Sequence, residues 1–161
     1  MKITIRKFGF NDIENKVKWI NDDKINKYLH YDLPLEVEKT RIWFENNKDN
    51  VNRYDGVILA DDIPVGLIGL LNIEEQKAEY YIALGEEKYF GKNIATEATK
   101  LILDYARELS LDLVYAYAEV DNNASIKLME KNGFIVKKLL EKSVRNRDKL
   151  VDRYYLENYL D

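Results

Sequence analysis

The chain has 161 residues, with 25 Lys and Arg against 29 Asp and Glu, 46% apolar and 34% charged residues, and no Cys. That length suits one domain, residues 1–161, around a single core, and the composition argues against long disordered tracts. A net charge of −4 argues against nucleic acid as a partner, because phosphate binding needs a dense cationic surface. Zero Cys excludes disulfides, thiolate metal ligands and Cys nucleophiles. A single His excludes a poly-His metal site, and no metal is expected. No apolar run approaches the roughly 20 residues of a membrane span. The opening MKITIRKF lacks an apolar signal core, so a cytoplasmic protein with no membrane partner is expected.

Lys2 to Phe8 alternates and is β-branched, which predicts a strand. Asn11-Asp12 then form a helix-start signal, and Ile13, Val17 and Ile20 recur at helical spacing. A second helix is predicted from about Leu35, fading into the polar run Glu45 to Asn50. Val57–Ala60 and Val65–Leu71 flank the turn Asp61-Asp62-Ile63-Pro64, a hairpin signal. Ala78–Leu84 predicts a further strand. From Ile94 to Leu109 the apolar residues Ile94, Ala98, Leu101, Ile102 and Tyr105 share one helical face. Leu113–Val120 predicts a strand, and Ala124–Asn132 a short helix closed by Gly133 at C′. Two last strands are predicted at Phe134–Leu140 and Asp152–Tyr159. The order β, αα, βββ, α, β, α, ββ predicts an α+β domain around a mixed sheet.

Two stretches carry chemistry. In Tyr89 to Ala98 a strand leads through a glycine-containing loop into a helix. First-turn amides have no intrahelical partner and the helix dipole is positive there, so such a loop takes an anion, and a diphosphate fits it. Gly91 allows close backbone approach and Lys92 adds charge. An ordinary strand-to-helix connection has the same look. Neither a P-loop nor a dinucleotide fingerprint is present. In Glu119 to Phe134, Asn122 follows a strand and precedes a helix, where an Asn is also a favoured N-cap.

Together the pattern G-K-x-[IY]-[AG]-T-E-A, about 25 residues, then N-x-x-S-I-x-L-x-E-K-x-G-F resembles the GNAT superfamily of acetyl-CoA-dependent N-acetyltransferases. Ala78 to Gly85 looks like that family's fourth strand. Trp19 to Asp22, Thr40 to Phe44 and Asp152 to Tyr155 resemble the subfamily of ribosomal-protein N-terminal, amino-sugar-nucleotide and polyamine acetyltransferases. The resemblance covers nearly the whole chain. It implies a three-layer α/β/α arrangement, with a mixed, mostly antiparallel sheet whose fourth and fifth strands splay. Phe90 and Asn93 stand where the family's loop usually carries Arg or Gln and a second Gly. Asn tolerates the left-handed backbone better than most residues. Met129 stands where many relatives carry a proton-donating Tyr, and a thioether donates no proton.

The resemblance implies that acetyl-CoA is the co-substrate. Main-chain groups near Ala83, Leu84 and Gly85 would hold its pantetheine arm. Phe90 and the loop Gly91, Lys92, Asn93, Ile94, Ala95 and Thr96 would cradle its pyrophosphate. Asn122 would bond the arm, Ser125 and Met129 would lie near the sulfur, and Lys131 would approach the adenosine phosphate or remain a solvated helix charge. An amine of pKa about 10 must lose a proton to react. Glu79 is the favoured base, Asp152 its rival, and a water chain a third route. Ser125 is the candidate to stabilise the thiolate, or it merely caps its helix. Trp19, Asn21, Tyr28, His30 and Tyr31 are the expected acceptor pocket. Tyr115 and Tyr117 share one strand face, which is either core or cleft.

Three functions follow. The first is N-acetylation of a small amine, with an amino-sugar nucleotide ahead of a polyamine because the N-terminal helices carry no acidic cluster. The second is acetylation of a protein N-terminus. The third is a CoA-binding module that has lost catalysis through Phe90, Asn93 and Met129. A homodimer suits the family, without a direct sign in the sequence.

Overall fold

A computed structural model describes residues 1–161. The elements are β1 (Ile3–Lys7), α1 (Ile13–Ile20), α2 (Val37–Asn47), β2 (Tyr54–Ala60), β3 (Ile63–Glu74) and β4 (Lys77–Leu84). They continue with α3 (Ile94–Glu108), β5 (Leu113–Glu119), α4 (Asn123–Lys131), β6 (Ile135–Asn146) and β7 (Lys149–Tyr159). The seven strands form one sheet in the order β1-β2-β3-β4-β5-β7-β6. Every pairing is antiparallel except β4 with β5. The expected mixed, mostly antiparallel sheet is therefore present.

Period-two alternation sends the two faces of the sheet to different helices. Ile58, Ile68, Leu70, Ala78, Tyr80, Val114, Ala116 and Leu156 face one way and pack with Ile94, Ala98, Ile102 and Ala106 of α3. Val57 and Leu67 face the other way and pack with Ile13, Trp19 and Ile20 of α1. α2 adds Trp43 and Phe44 to that second cluster. The layers are thus helix, sheet, helix.

Local chemistry fixes the connections. The β2–β3 turn needs only Asp61 and Asp62, both at positive φ (47° and 67°), as a tight hairpin demands. Pro64 belongs to the strand rather than to the expected four-residue turn. It pairs with Leu59 where the register slips between Ile58 and Leu59, a position that tolerates a missing N–H. α4 ends as expected at Gly133 (φ 97°). Gly133 N–H donates to Glu130 and Phe134 N–H to Met129, so two orphan carbonyls are satisfied. The last two strands are longer than predicted and form a hairpin closing around Arg147 (φ 59°).

Candidate functional site

β4 and β5 pair at only three positions, Lys77 with Leu113, Ala78 with Val114 and Glu79 with Tyr115. Beyond Glu79, β4 remains bonded to β3 up to Leu84, and β5 to β7 up to Glu119. The two strands are held on their outer edges and diverge between them. Gly85 N–H donates to Val65 O at 2.7 Å. Antiparallel alternation then turns the main chain of Ala83 and Gly85 toward β3 and leaves that of Ile82 and Leu84 on the open edge. Of the three residues expected to offer main-chain groups, Leu84 does so. Ala83 lines the cleft with its side chain, and the Gly85 amide is already committed. The gap is a cleft of about 250 Å³. Residues of both sheet faces line it, Tyr80, Ile82, Ala116 and Ala118 from one and Glu79, Tyr81, Tyr117 and Glu119 from the other. It therefore runs through the sheet.

On the α3 and α4 side lies the loop before α3. Gly91 and Asn93 are both at positive φ (73° and 65°), so Asn93 takes the left-handed geometry of the missing glycine. A Cβ on Gly91 would meet nothing within 4 Å. None of the amides from Gly91 to Thr96 donates to a protein acceptor. Ile94 and Thr96 anchor the first turn of α3 in the interior, while Phe90 and Lys92 remain exposed. Lys131 Nζ donates to Asn93 Oδ1 at 3.3 Å, joining the two sequence stretches. Asn122 Oδ1 accepts from Ser125 N–H at 3.3 Å, capping α4. The Ser125 hydroxyl has no protein partner and, with Asn122 and Met129, lines the cleft. Met129 is 1% exposed, so its thioether packs the floor. A ring of unpartnered amides beside an open strand edge fits a diphosphate with an extended amide-bearing arm, so these residues fit acetyl-CoA.

On the α1 and α2 side stands Glu79, which accepts a hydrogen bond from Asn72 at 3.3 Å. Burial raises its carboxyl above the usual range, opposed by the Asn72 bond and the charge of Arg153. Arg153 is held by Ser143 and covers the Tyr117 ring at 4.4 Å. Tyr28, His30 and Tyr31 line this half as expected. Their segment is pinned from far along the chain. His30 Nε2 bonds Glu119 at 2.7 Å, and Tyr28 OH donates to Asp121 O. Arg147 donates to Asn26 O and Oδ1, and Asn146 donates to Lys27 O and Glu119.

Three expected site residues lie elsewhere. Trp19 is 2% exposed and belongs to the core beneath Gly85, whose missing Cβ would stand 2.2 Å from the Trp19 ring. Asn21 exchanges two hydrogen bonds with the Leu35 main chain and holds a loop. Asp152 accepts from Lys142 N–H at a β-bulge between β6 and β7, and it does not line the cleft. Five further charged residues line the cleft that the sequence did not single out as site residues, Lys16, Arg53, Asp55, Glu119 and Arg153. Lys16 carried a signal, because it lies three residues after Ile13 and four before Ile20, on the buried stripe of α1.

Residues 2–135 match the family described as Acetyltransferase (GNAT) domain. The chain belongs to that family and is by class an acetyl-CoA-dependent N-acetyltransferase. It is 26% identical to "Uncharacterized N-acetyltransferase p20" of Bacillus licheniformis, over 95% of this chain and 90% of that protein. It is 35% identical to spermidine N(1)-acetyltransferase of Escherichia coli across 83 residues, 50% of this chain and 44% of that one. The solved structure of Vibrio cholerae spermidine N-acetyltransferase with CoA and spermine superposes with a TM-score of 0.90. It is 21% identical, with 98% of this chain and 95% of that chain covered. At that identity the likeness is one of fold.

Proposed function

We propose that the acceptor is the primary amine of a small molecule, that it enters from the α1 and α2 side, and that Glu79 takes its proton. Acetyl-CoA supplies the acetyl group as a thioester, whose C–S bond is exchanged for an amide C–N bond as the amine loses one proton. The observation that carries this reading is the through-sheet cleft, with unpartnered amides at one mouth and a partly desolvated carboxylate at the other. A carboxylate raised by burial is a better base near neutral pH than an ordinary one. Ser125 offers its hydroxyl to the thiolate. Tyr117, whose hydroxyl has no protein partner, is a second donor in the same cleft and supplies the function that Met129 lacks.

The acceptor we favour is an amino-sugar nucleotide, in keeping with the branch of the family that this sequence resembles. The aromatic wall of Tyr28, Tyr31 and Tyr117 supports a ring-bearing acceptor. A polyamine is the second reading, favoured by the activity named for the Vibrio and Escherichia relatives. Against it, the carboxylates of this cleft are partly spent. Asp55 is bidentate with Arg53 at 2.7 and 2.9 Å, and Glu119 is engaged by His30 and Asn146.

The test is thiol release from acetyl-CoA with three acceptors, an amino-sugar nucleotide, spermidine and a Met-initiated peptide. A kcat/KM highest for the nucleotide supports the reading. A highest value for spermidine replaces it with the second reading. A highest value for the peptide places the chain among protein N-terminal acetyltransferases. Binding of acetyl-CoA without turnover of any amine would mark a retired enzyme.

A further inference from the structure

A lysine on the core side of a helix is costly, because burial penalises its charge. Lys16 is nevertheless 7% exposed. Its ammonium lies 3.5 Å from the centroid of the Trp43 ring, and the Phe8 and Tyr31 rings stand 5.7 Å away. It makes no hydrogen bond and no ion pair. The carboxylate that faces it, Asp55, is already occupied. Both Asp55 oxygens accept from Arg53, and Oδ1 also accepts from the Tyr81 hydroxyl at 2.6 Å. Lys16 nevertheless lines the catalytic cleft. Burial holds its pKa down to about 8, with Asp55 raising it and Arg53 lowering it, so the side chain is still mostly cationic at neutral pH.

We propose that Lys16 recognises an anionic group of the acceptor, so that the substrate is an amine that also carries a carboxylate or a phosphate. This deepens the reading of the cleft given above and rests on it. The sheet gives the spacing. Asp55 pairs with Gly69 and Gly69 with Tyr81, so Asp55 and Tyr81 share one row across β2, β3 and β4. Glu79 follows on the same face of β4, two residues away. At about 3.3 Å per residue and about 4.8 Å per strand, Glu79 lies roughly 7 Å along the sheet from Tyr81 and roughly 12 Å from Asp55, the residue Lys16 faces, which brackets the span between amine and anion. An acceptor of that length bridges the base and the cation. A diamine of the same length would bring a second positive charge to an unpaired one.

The experiment compares four acceptors of one chain length by thiol release, namely 6-aminohexanoate, 6-aminohexyl phosphate, hexylamine and 1,6-diaminohexane. The two anionic amines should exceed the other two by about tenfold or more in kcat/KM, the range a buried charged contact supports. Their relative order separates phosphate from carboxylate as the group recognised. Lys16→Met keeps an unbranched stem on Trp43 and removes the charge. It should abolish the preference through KM, lowering kcat/KM for the two anionic amines by more than for hexylamine, whereas Lys16→Arg should retain the preference. Equal turnover of all four acceptors, preference for the diamine, or equal loss with every acceptor in Lys16→Met overturns the proposal. Calorimetry with 6-hydroxyhexanoate and CoA at pH 8 tests it independently of catalysis. Lys16-dependent binding with proton uptake supports the anion site even if no amine is acetylated, an outcome that would refute the proposed function alone. Binding that Lys16→Met leaves unchanged, or no binding, refutes the anion site.

Discussion

Replacing Glu79 by Gln isolates the proton-transfer step. The amide keeps an acceptor for Asn72 and removes a carboxylate that burial disfavours, so the melting temperature should hold or rise slightly. The kinetic cost follows from the acceptor. An amine of pKa about 10 is roughly one part in a thousand free base at pH 7. A base that removes the proton in the cleft recovers most of that factor, so kcat/KM should fall by about 10²–10³. An acceptor amine of pKa about 8 is roughly one-tenth free base at pH 7, and with it the loss should shrink to about tenfold. The acid limb of the wild-type pH profile should lie above the ordinary carboxylate range and vanish in the variant. The assay is thiol release across pH with two acceptors matched in shape and differing in amine pKa. A loss below about fivefold with the high-pKa amine, or the same loss with both, would refute Glu79 as the base.

Three further outcomes test other parts of the structure. Arg153→Gln removes a charge that lowers the Glu79 pKa, so the acid limb of kcat/KM should move to higher pH; an unmoved limb would mean that another group titrates. Gly85→Ala drives a Cβ to 2.2 Å from the Trp19 ring. Calorimetry should show about 1–3 kcal/mol of overpacking, at roughly 2–4 °C of Tm per kcal/mol for a chain of this size. Asn122→Ala deletes the α4 cap, which should cost about 1 kcal/mol in denaturant unfolding. The same variant should weaken acetyl-CoA binding by titration, and unaltered affinity would confine Asn122 to its capping role.

Much of the fold was legible because burial writes a period into the sequence. The stripe of α3 and the Gly133 stop are strong local signals, and both appear where expected. The end of β6 and the start of β7 were not legible. β6 is an edge strand, exposed along most of its length, so the run from Glu141 to Asn146 shows no alternation to read. Trp19 looked functional because large aromatics suit both cores and pockets, and sequence position does not separate the two. Asp152 matched a family pattern, but its carboxylate satisfies a bulge amide. Lys16 was passed over among the charges of α1, although its place on the apolar stripe set it apart from Lys18. The splay between β4 and β5 came from family resemblance, since local pattern cannot show where two long-range ladders part.

The ties between the cleft wall and the β6–β7 turn bear on the order in which the molecule acquires its parts. Asn26 and Arg147 are 121 residues apart in the chain, and Lys27 and Asn146 are 119 apart. Closing so distant a loop is slow compared with forming local hairpins and helices. On the ribosome, where earlier residues fold first, the segment carrying Tyr28, His30 and Tyr31 waits for residues 146 and 147. The tie that joins the diphosphate loop to α4, Lys131 to Asn93, spans only 38 residues, so the half of the cleft that chooses the acceptor rests on the longer-range closure.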